Sequence, residues 1–435
     1  MNRDSSPEAA PAHRLLSAAA VRERAHQLLE HGLAGRLEHF TVHPERLGAC
    51  ADEVVTTIKA AYPDLEVPFH ARWRHFTVGG FDRWEALREI AAFESDAAMA
   101  RAAFDLAIVS VLLDAGAGPA WRYEEGRTGE TYTRSEGLAV ASFHAFTGGL
   151  FSSDPDRPLQ ADAAGLRNLV TDRLGDALQV SDANELVGLR GRATLLRRLG
   201  EAMSEQPETF GDPGRPSGML DALVSPLGPN VPPTAEVGAH DILTLLLESL
   251  SRIWPMANVI GLGATGPGDA VGGVAPNEPV LALGDCWRHS AVRGPGLTDG
   301  WMPFHKLSQW LAYSLIEPFE RAGVKVRHLE ALTALPEYRN GGLLIDSGVI
   351  VPRDKAMLER TWKVGDEFVV EWRALTIALL DELAGRVRKV LDRSEEELPL
   401  ARVLEGGTWA AGRVLAQRLR GGTPPLRIES DGTVF

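Results

Sequence analysis

Residues Ala98–Leu113 read AMARAAFDLAIVSVLL and are apolar on nearly every face of a helix. A surface helix keeps a polar side, so one that lacks it must be wrapped by other elements. The stretch therefore predicts a central buried helix and a mainly α fold. It stops at Asp114, where DAGAGP supplies the glycines and proline that end a helix. Working outward, apolar residues recur every three or four positions in Val21–Leu33, Asp52–Ala61, Trp84–Ala92, Ser135–Thr147, Asp162–Leu174, Asn184–Met203, Ala239–Ile253 and Glu367–Leu391, and each is expected to be helical. A further helix is expected from Trp301 to Gly323, kinked at Pro318. Trp121–Thr133, WRYEEGRTGETYT, has the aromatic and threonine content of a small β-hairpin, and LRIESDGTVF at the end reads as a closing one. Proline and glycine mark long loops at 204–236 and 261–279. The expected organisation is a disordered lead at 1–14 followed by a single helical catalytic domain over 15–435.

Composition narrows the function. Among 435 residues 44% are apolar and 24% charged, ordinary for a soluble globular protein. The balance of 45 basic and 59 acidic side chains gives −14, which repels polyanions and argues against nucleic acid as a ligand. Two cysteines, Cys50 and Cys286, provide no disulfide framework and fit a reducing cytoplasm. No apolar run reaches 18 residues, so no membrane span is expected, and the polar N-terminus lacks the core of a secretory signal. Gly261–Gly266, GLGATG, matches a dinucleotide fingerprint by letters only, with loop where a helix should follow. No cofactor is expected. Asp285-Cys286-Trp287-Arg288-His289 offers one cysteine and one histidine, too few for a zinc site, and no metal is expected either.

Three groups of residues are equipped for chemistry. In Leu332–Ile350, LTALPEYRNGGLLIDSGVI, Pro336 suits a helix start and places Glu337 at the positive end of the dipole, with Tyr338 and Arg339 beside it. Gly341 and Gly342 then imply close approach to the backbone by a ligand or a second helix. Asp114 sits at the opposite, negative pole of the central helix. Two acids pushed apart by their surroundings are the pattern that divides acid and base roles, with Asp114 the one expected to hold a proton. In Arg72-Trp73-Arg74-His75-Phe76, read as extended, both guanidiniums face one side and form an anion clamp flanked by His75. Along the helix from Trp301, His305, Gln309 and Tyr313 recur every fourth residue as a polar stripe suited to a polyhydroxylated ligand, with Lys306 adding a cation.

The segments PFHARWRHF (68–76), SVLLDAGAGPAWRYEE (110–125), RSEGLAVASFHAF (134–146), LGDCWRH (283–289), PFHKLSQWLAYSLIEPFERAG (303–323) and 332–350 resemble the fungal and bacterial uracil-catabolism family, long described only as a domain of unknown function. The likeness spans nearly the whole chain. It implies a place in a pathway that degrades uracil through a ribosylated intermediate, alongside a cyclohydrolase-like ring-opening enzyme and a uracil phosphoribosyltransferase. A fainter likeness is to the queuosine-salvage nucleoside hydrolases, helical proteins related in shape to DNA glycosylases. It implies a compact fold of that kind, with Asp114 and Trp121 in one pocket-lining segment and Glu337, Tyr338 and Arg339 in another.

The combined expectation is a cytoplasmic N-ribosyl hydrolase that releases urea from ribosylurea or its 5′-phosphate. Glu337 and Asp114 are its catalytic pair, and Trp121, Tyr338, Arg339, His305, Lys306, Gln309, Arg72, Arg74 and His75 bind substrate. The alternative is a non-catalytic ligand-binding or scaffold subunit that gathers the cyclohydrolase-like enzyme and its partners. An amide hydrolase acting on the urea portion ranks last, because no metal or activated nucleophile is evident.

Overall fold

A computed structural model describes residues 12–224, 236–254, 258–261 and 280–429. The chain is mainly helical, and among the described residues its short strands lie in pairs. It divides into two compact units: the described residues of Met1–His70, Pro255–Gln309 and Leu329–Glu429 form the first, and those of Ala71–Trp254 and Trp310–His328 the second. Residues 1–11 of the expected lead and 262–279 of the expected second loop lie outside the described residues. Order is already present before residue 15, since Ala12 is buried.

In the first unit the axis is the Glu367–Leu391 helix, with the bounds its apolar spacing predicts. Helices Ala18–Leu33 and Leu47–Ala61 pack on it. Ser17 starts the former by accepting a hydrogen bond from Ala20 N at 3.2 Å, the usual way a hydroxyl satisfies a free N–H of the first turn. Phe40–Val42 pairs antiparallel with Ile350–Pro352, and Cys286–Arg288 with Trp301–Pro303. The latter pair corrects the helix expected from Trp301, which begins instead at Lys306. Asp285 explains the delay. Its main-chain oxygen accepts from Phe304 N and His305 N, and its carboxylate from Lys306 N at 3.1 Å. Of the expected closing hairpin, Arg427–Ile428 runs parallel to Thr361–Trp362, and 430–435 lie outside the described residues.

The first glycine of the pair is explained by a second helix, and the second, Gly342, lies against Pro425. Gly341 faces Trp372 of the Glu367–Leu391 helix, whose Nε1 donates to Gly341 O at 3.2 Å, and a Cβ at 341 would sit well inside van der Waals contact with the indole. Gly341→Ala is therefore expected to destabilise the protein by about 1–3 kcal/mol through overpacking. Chemical denaturation checks this, and an unchanged midpoint would show that the indole shifts freely.

The second unit is built around Asp96–Leu112, buried without interruption from Ala102 to Leu112. Ser95 caps it by accepting from Ala98 N at 3.1 Å. Arg134–Thr147, Arg72–Phe76 and Leu189–Glu205 pack against it. The expected hairpin is present as Arg122–Glu124 against Thr131–Thr133, with Tyr123 opposite Tyr132. Three expectations need correction. Asp162–Leu174 is split into Ala163–Arg167 and Thr171–Ala177, because Asn168 leaves the helical region. The next helix starts at Leu189 rather than Asn184, since Gly188 has φ +74 and the Asn184 side chain bonds the main chain of Arg122 instead. Residues 204–236 are not one loop, for Pro207–Phe210 and Gly218–Val224 are helical.

Candidate active site

Four of the six family-like segments meet inside the second unit at Asp114 and Arg72. Arg72–Phe76 is a short helix, not the extended segment expected, so residues two apart point to opposite sides and no clamp forms. Arg72 is fully buried; Arg74 pairs instead with Glu317. Arg72 Nη1 lies 2.9 Å from Asp114 Oδ2 and donates to His75 Nδ1 and Ser135 O, both at 3.1 Å. Its Nε donates to Ser110 Oγ at 2.8 Å, which in turn lies 2.6 Å from Ser142 Oγ. Ser135 Oγ donates to Asp114 Oδ1. Arg72 N donates to Ser314 Oγ at 3.0 Å, which brings in the fourth segment. Arg72 Nη2 is buried with no hydrogen-bond partner among the described residues.

Asp114 closes the central helix as expected, its N–H donating to Val111 O at 2.9 Å. Its side chain is 8% exposed. Both carboxyl oxygens thus meet a donor, Oδ2 the Arg72 guanidinium and Oδ1 the Ser135 hydroxyl. Burial lowers the Arg72 pKa, and the charge of Asp114 opposes that shift. Trp121 is not open for stacking on a sugar. It is buried over Gly137, and its Nε1 donates to Leu178 O at 3.0 Å.

In the first unit, Glu337 is the N-cap of Tyr338–Asp346. One oxygen accepts from Arg339 N at 2.8 Å and the other from Asn340 N at 2.7 Å. Both oxygens thus serve the helix start, a role that explains an acid at this position without substrate. Tyr338 donates from its hydroxyl to Ile428 O, and Arg339 from Nη1 to Gly422 O, both at 3.3 Å. Burial and the neighbouring Glu337 raise the Tyr338 pKa. The polar stripe faces inward. His305 precedes the helix with φ +49 and its Nε2 lies 2.8 Å from Leu15 O, while burial lowers its pKa. Gln309 donates to Thr333 Oγ1 at 2.8 Å and accepts from Thr333 N at 3.3 Å. Lys306 is half-buried at the helix start, and Tyr313, in the second unit, is buried.

Several buried charged groups were given no role from the sequence, Asp285 having been weighed there only as part of a metal site. Asp285 takes a bidentate pair from Arg373, Nη1 to Oδ1 at 2.8 Å and Nη2 to Oδ2 at 2.7 Å, with Trp287 Nε1 adding 2.8 Å to Oδ1. Burial alone would raise the Asp285 pKa, but Arg373 outweighs it and the net shift is downward. In the second unit Glu125 is buried among Arg83, His144 and Thr128; these hydrogen bonds overcome desolvation and hold its pKa at about 2. Asp105 lies inside the quoted apolar run and is fully buried. A charge embedded in an apolar helix must find partners, and that is the signal by which Asp105 and Arg373 could have been found. Among the described residues, no three His, Cys, Asp or Glu side chains gather as metal ligands, and no helix is long and apolar enough to cross a membrane.

Over residues 14–435 the chain matches the profile of a family described as a protein of unknown function, DUF1688, and it belongs to that family. It is 37% identical over 436 residues to Protein urg3 of Schizosaccharomyces pombe, covering 97% of this chain and 98% of the relative. It is 36% identical over 451 residues to Uracil catabolism protein 4 of Lachancea kluyveri, covering 96% and 98%.

Proposed function

We propose that this protein acts in uracil catabolism as an N-ribosyl hydrolase, splitting ribosylurea or its 5′-phosphate into urea and the sugar. The place in uracil breakdown is supported by the end-to-end likeness to a relative named for that process. The chemistry rests on one observation: separate segments converge on the Asp114 carboxyl, fixed by Arg72 and Ser135, beside a buried guanidinium nitrogen, Arg72 Nη2, that has no hydrogen-bond partner among the described residues.

Breaking an N-glycosidic bond builds positive charge on C1′ and the ring oxygen. A carboxylate already oriented by other groups stabilises that charge without reorganising. Asp114 takes this role, and Arg72 Nη2 is the donor available to a substrate oxygen. Water adds its hydroxyl to C1′ and its proton to the departing urea nitrogen. Glu337 retains its helix-capping role in this reading, since both oxygens are engaged by its own helix.

Incubating the purified protein with ribosylurea, and separately with its 5′-phosphate, is expected to release urea and free sugar. Glu337→Gln is expected to keep the rate within a few-fold while lowering stability by about 1 kcal/mol, the scale of a weakened cap. A loss of about 10²-fold in that variant, with the fold intact, would restore Glu337 as a catalytic acid. Binding without turnover, together with co-purification of a ring-opening enzyme, would favour a scaffold.

A further inference from the structure

A second polar site lies in the same unit, at an open cavity of about 740 Å³ whose lining includes neither Asp114 nor Arg72. Volumes of this order hold whole metabolites. Its floor is organised by Asp105. That carboxylate accepts from Arg215 Nε at 2.9 Å and Nη2 at 2.6 Å, from Ser217 N at 2.8 Å and from Ala161 N at 3.2 Å. Arg215 and Ser217 are thereby locked in place, and both line the cavity. The Ser217 residue is 1% exposed, and its hydroxyl has no hydrogen-bond partner among the described residues. A buried hydroxyl left unpaired costs about 1–3 kcal/mol, so a ligand that bonds to it recovers binding energy there.

Charge decides the ligand class. Each lining arginine already faces a carboxylate: Arg215 with Asp105 and Arg101 with Asp221 at 2.6 Å, and Arg157 with Asp154 at 4.0 Å. Glu208 and Asp212 add negative charge to the rim. A phosphate would meet this surplus as well as the −14 of the chain. A simple cation would meet the arginines. A neutral molecule rich in hydroxyl groups both donates and accepts, and matches walls of alternating guanidinium, carboxylate and hydroxyl.

We infer that this cavity binds a neutral, hydroxyl-rich small molecule, anchored on Ser217 and Arg215, and discriminates against its phosphorylated form. The inference is independent of the hydrolase reading. The test titrates the full chain with D-ribose and with D-ribose 5-phosphate by calorimetry and ligand-observed NMR. Ribose is expected to bind saturably and at least 10-fold more tightly than its phosphate, and Ser217→Ala is expected to weaken ribose at least 10-fold. Since the hydroxyl is unpaired, that variant should fold normally. Glu208→Gln combined with Asp212→Asn, both at the rim, should narrow the discrimination between the two probes. No saturable ribose binding, equal or tighter binding of the phosphate, or indifference to Ser217→Ala would overturn the inference.

Discussion

Arg373→Met is expected to destabilise the protein by about 3–5 kcal/mol, the scale of a buried ion pair broken on one side. Asp285 is buried and takes both oxygens' main partners from this guanidinium. Without it the carboxylate keeps, among the described residues, Trp287 Nε1 and Lys306 N. Because Asp285 also directs the turn into the Lys306 helix through its main-chain oxygen, the damage should reach the segment around His305. Removing both charges, as Asp285→Leu with Arg373→Met, should recover much of the loss, since an apolar pair leaves no uncompensated charge. Guanidinium unfolding of the single and double variants measures this. A single-variant loss below about 1 kcal/mol would mean the pair is hydrated rather than dry.

Asp114→Asn is expected to lower urea release at least 10²-fold, the range seen when one preorganised group facing transition-state charge is removed. Asparagine keeps the shape, but its single oxygen accepts at only one of the two positions that Ser135 and Arg72 address, and it lacks the charge that opposes an oxocarbenium ion. Arg72 then stays buried without its counter-ion, so stability should also fall. Rates therefore need comparing at temperatures where circular dichroism shows both proteins folded. Arg72→Lys supplies the second arm. Lysine carries charge but cannot reach Ser110, Ser135, His75 and Asp114 together, so it should lose activity while the Asp114 side chain is retained.

The long elements were legible because their signal is local. The apolar run at 98–113 and the spacing across 367–391 mark the core helices of the two units, and the Trp121–Thr133 hairpin follows from β-favouring residues around a glycine turn. What local pattern cannot show is a partner far along the chain. Asp285 reshapes residues 304–306 from about 20 positions away, which turned an expected helix start into a strand. Arg72 and Arg74 read as a surface clamp until Asp114 and Glu317 supplied partners for each. Gly341 was correctly read as a point of close approach, although sequence left open whether a ligand or a helix made it, and Trp372 is the answer. Glu337 was placed correctly at a helix start; the two N–H groups that occupy its oxygens are a matter of geometry alone.

The account stands most directly on initial rates of urea formation from ribosylurea by wild-type protein and Asp114→Asn, measured at equal folded concentration. It predicts steady release by the wild type and at least a 10²-fold slower rate in the variant. Equal rates in the two proteins, or no release by the wild type from either the free or the phosphorylated substrate, would contradict it.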